Sequence, residues 1–172
     1  MARLDEADPI LLAALEGSTR VYGLNHLKTL LAQNNYAALL MSRAAIAEAA
    51  SDASAVKLYA DAESLMRSAL SRQLSSVGEA DPIALQTMHN LAILLHAQCN
   101  HSEEALDFMR RTVRGRSSTL GISNVQTIAS HSALVSMLLK RGDDGVAEAE
   151  DIMHTMISAA HDNVDEWVKV LL

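Results

Sequence analysis

The segment Val77–Leu95, VGEADPIALQTMHNLAILL, decides the fold. It opens on an apolar residue followed by glycine, passes through Asp81-Pro82, and ends in an apolar run. Leu85, Met88, Leu91, Ala92 and Leu95 recur every three or four positions, the period of a helix with one greasy face. Asp81 can accept the unsatisfied N–H groups of a first helical turn, and Pro82 fits the first helical position, where no donor is needed. Gly78 suits the turn that ends the preceding helix.

Two other stretches carry the same pattern: YGLNHLKTLLAQNNYAALL from Tyr22 and LGISNVQTIASHSALVSML from Leu120. Their glycines, Gly23, Gly78 and Gly121, lie 55 and then 43 residues apart. A second block follows each: AESLMRSAL from Ala62, ALDFMRRTV from Ala105 and AEDIMHTMI from Ala149. Leu15 stands eight residues before Gly23, as Leu70 stands eight before Gly78, so half a unit precedes the first. Two helix types alternating at a fixed period mark a solenoid, in which stacked neighbours bury what one helix pair cannot. The third unit places Ile128, His131, Leu134, Val135 and Leu138 on its stripe. The only two prolines each follow Asp, so Asp8 is expected to cap a first helix as Asp81 caps a later one.

Composition agrees. The 172 residues include 28 Ala, 25 Leu and five aromatics, and no β-branched run bounded by turn signals suggests a strand. A net charge of −7 disfavours non-specific nucleic-acid binding. The lone Cys99 excludes an internal disulfide framework. No apolar run of membrane-spanning length occurs. The acidic residues Asp5, Glu6 and Asp8 are unlike a signal or transit peptide.

The reading is therefore all-α: one domain over 1–172, an α-solenoid of about three antiparallel helix pairs. A partial repeat spans 8–21, repeats span 22–76, 77–119 and 120–158, and a separate helix over 161–172 caps the last repeat. In that helix Val164, Trp167, Val168 and Leu171 share a face, with Trp167 either covering the core or docking onto another chain. Ala37 to Ala62 spans 25 residues where Ala92 to Ala105 spans 13, so the first repeat carries an insertion around Ser42–Lys57, broken at Ser51-Asp52. Shared between two helices, it lengthens each by ~9 Å at 1.5 Å per residue. The projecting hairpin is a candidate external contact or a tolerated insertion.

Catalytic patterns are missing. No G-x-S-x-G, G-x-x-x-x-G-K or G-x-G-x-x-G occurs. The seven histidines include no pair at the i, i+4 spacing of H-E-x-x-H metal ligands, and His131 reads as a core residue. No metal, cofactor or catalytic residue is expected. The arginines Arg110, Arg111, Arg114 and Arg116 form the sharpest charge feature, readable as a solvated outer face near a helix C-terminus or as a patch for an acidic partner.

These residues resemble tetratricopeptide repeats in the longer form found in kinesin light chains. That family's pattern runs LG-x-D-H-P-x-T, LNNLA-x-LL, AE-x-L-x-x-x-AL. Val77-Gly78, Asp81-Pro82, Asn90-Leu91-Ala92 and Leu94-Leu95 match it in the second repeat. Asn34-Asn35, Ala37, Leu39, Leu40, Ala62-Glu63, Leu65, Ala69 and Leu70 match in the first. The third keeps Leu120-Gly121, Leu134, Ala149-Glu150 and Ile152 but has Ser132 and Ala133 in place of the asparagines. The resemblance covers Tyr22 to Ile157; HEAT-like repeats share its coarse period. It implies a right-handed, TPR-like solenoid with a concave groove lined by the first helix of each pair. Carried over, the groove would present Asn34 and Asn35, then Gln86, His89, Asn90 and His96, then Ser132, Ser136 and Lys140, for a partner protein's backbone. The same amides could instead bridge neighbouring repeats. The expected function is a non-catalytic protein–protein scaffold in a hetero-oligomeric complex. Alternatives are a transient peptide adaptor and an RNA-binding helical repeat, for which only the arginines speak.

Overall fold

A computed structural model describes the backbone of residues 2–98 and 102–171, and the side chains of 4–98 and 103–160. Among the described residues seven helices follow one another: α1 Ala2–Tyr22, α2 Leu27–Ala49, α3 Ser54–Ser76, α4 Pro82–Ala97, α5 Ser102–Leu120, α6 Val125–Lys140 and α7 Asp143–Leu171. The described residues contain no strand. Each helix packs on the next, and α2 also reaches α4 as α4 reaches α6. Among the described residues of the outer helices α1, α3, α5 and α7, no backbone pair comes as close. A stack whose α2, α4 and α6 layer is tighter than its other layer curves toward that layer. The chain is an all-α, TPR-like α-solenoid.

The turns repeat as the sequence does. Gly23, Gly78 and Gly121 have φ of 81°, 87° and 83°, a left-handed conformation that glycine adopts without a Cβ penalty. Three residues on, His26, Asp81 and Asn124 cap α2, α4 and α6 with a side-chain acceptor for the N–H two residues later. Asp81 Oδ1 accepts from Ile83 N at 2.8 Å, as Asp81-Pro82 foretold.

Small residues set the helix spacing. Ala62, Ala105 and Ala149, which open the three second blocks, are all fully buried, as are Ala37, Ala84 and Ala92. Two apolar clusters result. One joins α2, α3, α4 and Ala105 around Met66, Leu85, Met88, Leu91 and Leu95. The other joins α4 to α7 around Leu106, Met109, Leu134 and Leu138. Gly145 lies so close to the carbonyl of Leu138 that a Cβ there would collide with α6 backbone. The third stripe departs from expectation at Ile128, which is 41 % exposed and lines an open hollow with Met156, Ala159 and Ala160 of α7.

Both ends also differ from expectation. α1 begins at Ala2, so Asp8 caps nothing and Pro9 sits inside the helix. The reason lies in the insertion: α2 and α3 run 23 residues each against 16 for α4. Their projecting tip gives the first turns of α1 a surface to lie on. Asp8 pairs there with Arg43 at 2.7 Å. At the other end α7 is unbroken through the expected gap near residue 160, since no Gly or Pro follows Gly145. The side chains of 161–172, Trp167 included, lie outside the described residues, as do Cys99 and His101.

Candidate partner-binding surface

The layer of α2, α4 and α6 positions the residues expected on a groove, and they fall into two groups. Gln86, His89 and Asn90, on one face of α4, are half-buried and joined to each other's neighbours. Gln86 Nε2 donates to Asn90 Oδ1 at 2.9 Å. Gln86 Oε1 accepts from Arg116 Nη2 at 2.7 Å. Arg116 Nη1 donates to Ser130 Oγ at 2.7 Å and to the carbonyl of Gln126 at 3.0 Å. Ser130 Oγ lies 3.3 Å from His89 Nδ1. One network thus ties α5 to α4 and α6 across the junction between the second and third pairs. Asn34 is buried, with no hydrogen-bond partner for its Oδ1.

Asn35, Ser132, Ser136 and Lys140 form the second group and stand exposed. His96 is half-buried; burial, and then the charge of Lys140, lower its pKa. That electrostatic coupling sets the end of α4 beside the end of α6. Polar side chains thus stand exposed on α2 and α6, while those of α4 are tied into the junction with α5 and α6.

Arg116 is the residue that sequence reasoning misplaced. It was grouped with an outer basic face, yet only 2 % of it is exposed. Its partners are neutral oxygens, no carboxylate is among them, and Nε has no acceptor. Burial lowers its pKa from the usual arginine value, the direction expected when a cation loses water. Burial, reinforced by the Arg116 charge, also depresses the His89 imidazole to about 4. Gln73, 43 residues before Arg116 and so one repeat earlier, is likewise a long polar side chain, almost wholly buried.

The other arginines do not share one patch. Arg110 grips Glu148 through two bonds of 2.7 and 2.6 Å. Arg111 grips Glu79 at 2.9 and 3.0 Å and lies over the ring of Phe108. These bonds hold the Glu79 and Glu148 carboxyls below their ordinary range. Arg114 is exposed. One repeat earlier, Arg67 takes Glu104 at 2.6 and 2.8 Å. Arg67 and Arg110 hold the same place in their blocks, so this fork spans the wider gap between outer helices twice.

Among the described residues, no three His, Cys, Asp or Glu side chains are grouped as metal ligands. No described helix is long and apolar enough to cross a membrane.

Residues 41–118 match the tetratricopeptide repeat family model. No curated protein sequence matches the chain. Among solved structures, it superposes on a Podosopora anserina protein with nearly identical TPR-like repeats of the kinesin light chain type, at TM-score 0.76 and 19% identity, covering 94% of this chain and 68% of that one. A second structure of that protein gives TM-score 0.75 at 18% identity, covering 94% and 69%. BtubC (BKLC) from P. vanneervenii gives TM-score 0.68 at 18% identity, covering 90% of this chain and 58% of that one. At such identities the likeness is one of fold.

Proposed function

We propose, from the premise that residues 41–118 are tetratricopeptide repeat sequence, that this chain is a non-catalytic protein–protein interaction scaffold. What supports the proposal is the set of polar side chains on α2, α4 and α6: Asn35, Ser132, Ser136 and Lys140 are exposed, and Gln86, His89 and Asn90 are half-buried. A concave face of amide and hydroxyl groups suits an extended or helical partner segment whose backbone needs hydrogen bonds. The finer reading is a stable accessory subunit of a larger assembly. Large apolar side chains stand exposed at both ends of the stack: Ile10, Val21, Leu24 and Leu27 at one, Val125, Ile128 and Ile157 at the other. Apolar surface left at the ends of a repeat stack is a candidate interface. A transient adaptor would not need it.

The test is affinity capture of the full chain from its native source, with Asn35→Arg and Ser132→Arg as paired controls. A scaffold recovers defined protein partners that both substitutions weaken at least tenfold, and a subunit keeps them through gel filtration. Partners indifferent to both substitutions, or RNA retained in their place, would refute the groove as the binding face.

A further inference from the structure

The insertion shapes a cleft where α1 lies over the tips of α2 and α3. Its floor is apolar: Leu4 from α1, Ile46 and Ala47 from α2, and Leu58 from α3, with Ala50 at the end of α2. The cleft measures about 160 Å³. That matches the roughly 150 Å³ that accommodates a benzene ring, and falls short of the roughly 300 Å³ at which small-molecule pockets begin. It exists because α1 lies over the projecting tip of α2 and α3 without filling it, and because alanines occupy positions 47 and 50.

Its rim has a sign. Asp5, Asp52 and Arg43 line it. Arg43 is answered by Asp8 at 2.7 Å. No ion pair to Asp5 or Asp52 forms among the described residues; Asp52 Oδ1 accepts from Ser54 N at 2.9 Å. The rim thus keeps two carboxylates around an apolar hole the size of one side chain.

We propose that this cleft is a docking site for a protein segment carrying one Leu- or Phe-sized side chain flanked by lysine or arginine. The apolar side chain enters between Leu4 and Leu58, and the flanking cations meet Asp5 and Asp52. The site lies away from the Asn35–Lys140 face and stands whether or not that face binds a partner.

Two capped tripeptides, acetyl-Lys-Phe-Lys-amide and acetyl-Glu-Phe-Glu-amide, serve as probes on the full chain at low salt. The methyl resonances of Ile46, Ala47 and Leu58 are followed by NMR. The lysine peptide moves these methyls saturably, with a Kd roughly tenfold below that of the glutamate peptide, about threefold for each exposed charge pair. Asp5→Asn and Asp52→Asn each narrow that ratio about threefold; asparagine keeps the turn to Ser54. Ala50→Leu fills the cleft from an exposed position, so it abolishes the shifts while circular dichroism stays unchanged. Unmoved methyls, undiminished binding to the Ala50→Leu variant, or equal binding of the two peptides would overturn the proposal.

Discussion

Arg116 is a cation enclosed by neutral acceptors, and its energetics are unlike those of the surface arginines. Burying a charge costs several kcal/mol, which its hydrogen bonds only partly offset. Replacing it with an apolar side chain of similar length removes both terms. Arg116→Met is therefore expected to leave the urea unfolding free energy within about 1 kcal/mol of the parent or above it. Gln86→Ala leaves the guanidinium in place with one acceptor fewer, and should cost about 2 kcal/mol. His89 gives a pH signature. Its folded pKa is depressed from 6.5 to about 4, so the folded state prefers the neutral ring. The unfolded chain takes up that proton first as pH falls. The stability this residue contributes is whole above pH 6.5 and is lost between there and about pH 4, by up to roughly 3 kcal/mol. Urea melts at pH 7 and pH 5 should show the loss, and His89→Gln should flatten it. Apolar burial at this scale was legible in the sequence, because Leu85, Met88 and Leu91 keep helical spacing. The interior place of Arg116 was not. Four arginines in seven residues read as a surface run.

At the scale of helices, the second block of each repeat docks through small residues, and the docking is tightest at Gly145. A Cβ there meets the backbone carbonyl of Leu138, which cannot swing aside as a side chain can. Gly145→Ala should separate α6 from α7 and cost about 2 kcal/mol, visible as a lower urea midpoint. The N-terminal helix offers the opposite case. Pro9 sits exposed inside α1 and supplies no backbone donor. Pro9→Ala should stabilise the first turns of α1 and slow amide exchange there, most clearly near Asp8. A rise in exchange would show that proline is needed for the path of α1. The caps at Asp81 and the glycine turns were readable because local chemistry dictates them. The true start of α1 was not. A proline after aspartate is a standard start signal, and it was overridden by packing on the projecting hairpin. The continuity of α7 was also missed: a separate helix over 161–172 was expected, yet no glycine or proline after Gly145 interrupts α7.

Over the whole molecule, stability depends on neighbours. The apolar cluster around Met66 draws on α2, α3 and α4 together, and the next draws on α4 through α7. The forks Arg67–Glu104 and Arg110–Glu148 add a charged tie across each outer gap, but they are partly exposed and salt weakens such pairs. The solenoid was visible in the sequence because its period is written three times. The polar set on α2, α4 and α6 was visible only in part, since the same amides that could meet a partner also bridge repeats, and spacing alone does not separate the two uses. The most direct test of the stacked-repeat account compares urea unfolding of residues 77–119 alone with that of residues 1–119. The isolated helix pair should lack a cooperative transition, while the longer fragment, with its neighbours restored, should unfold cooperatively. A 77–119 fragment that folds by itself as stably as it does within the chain would contradict the account.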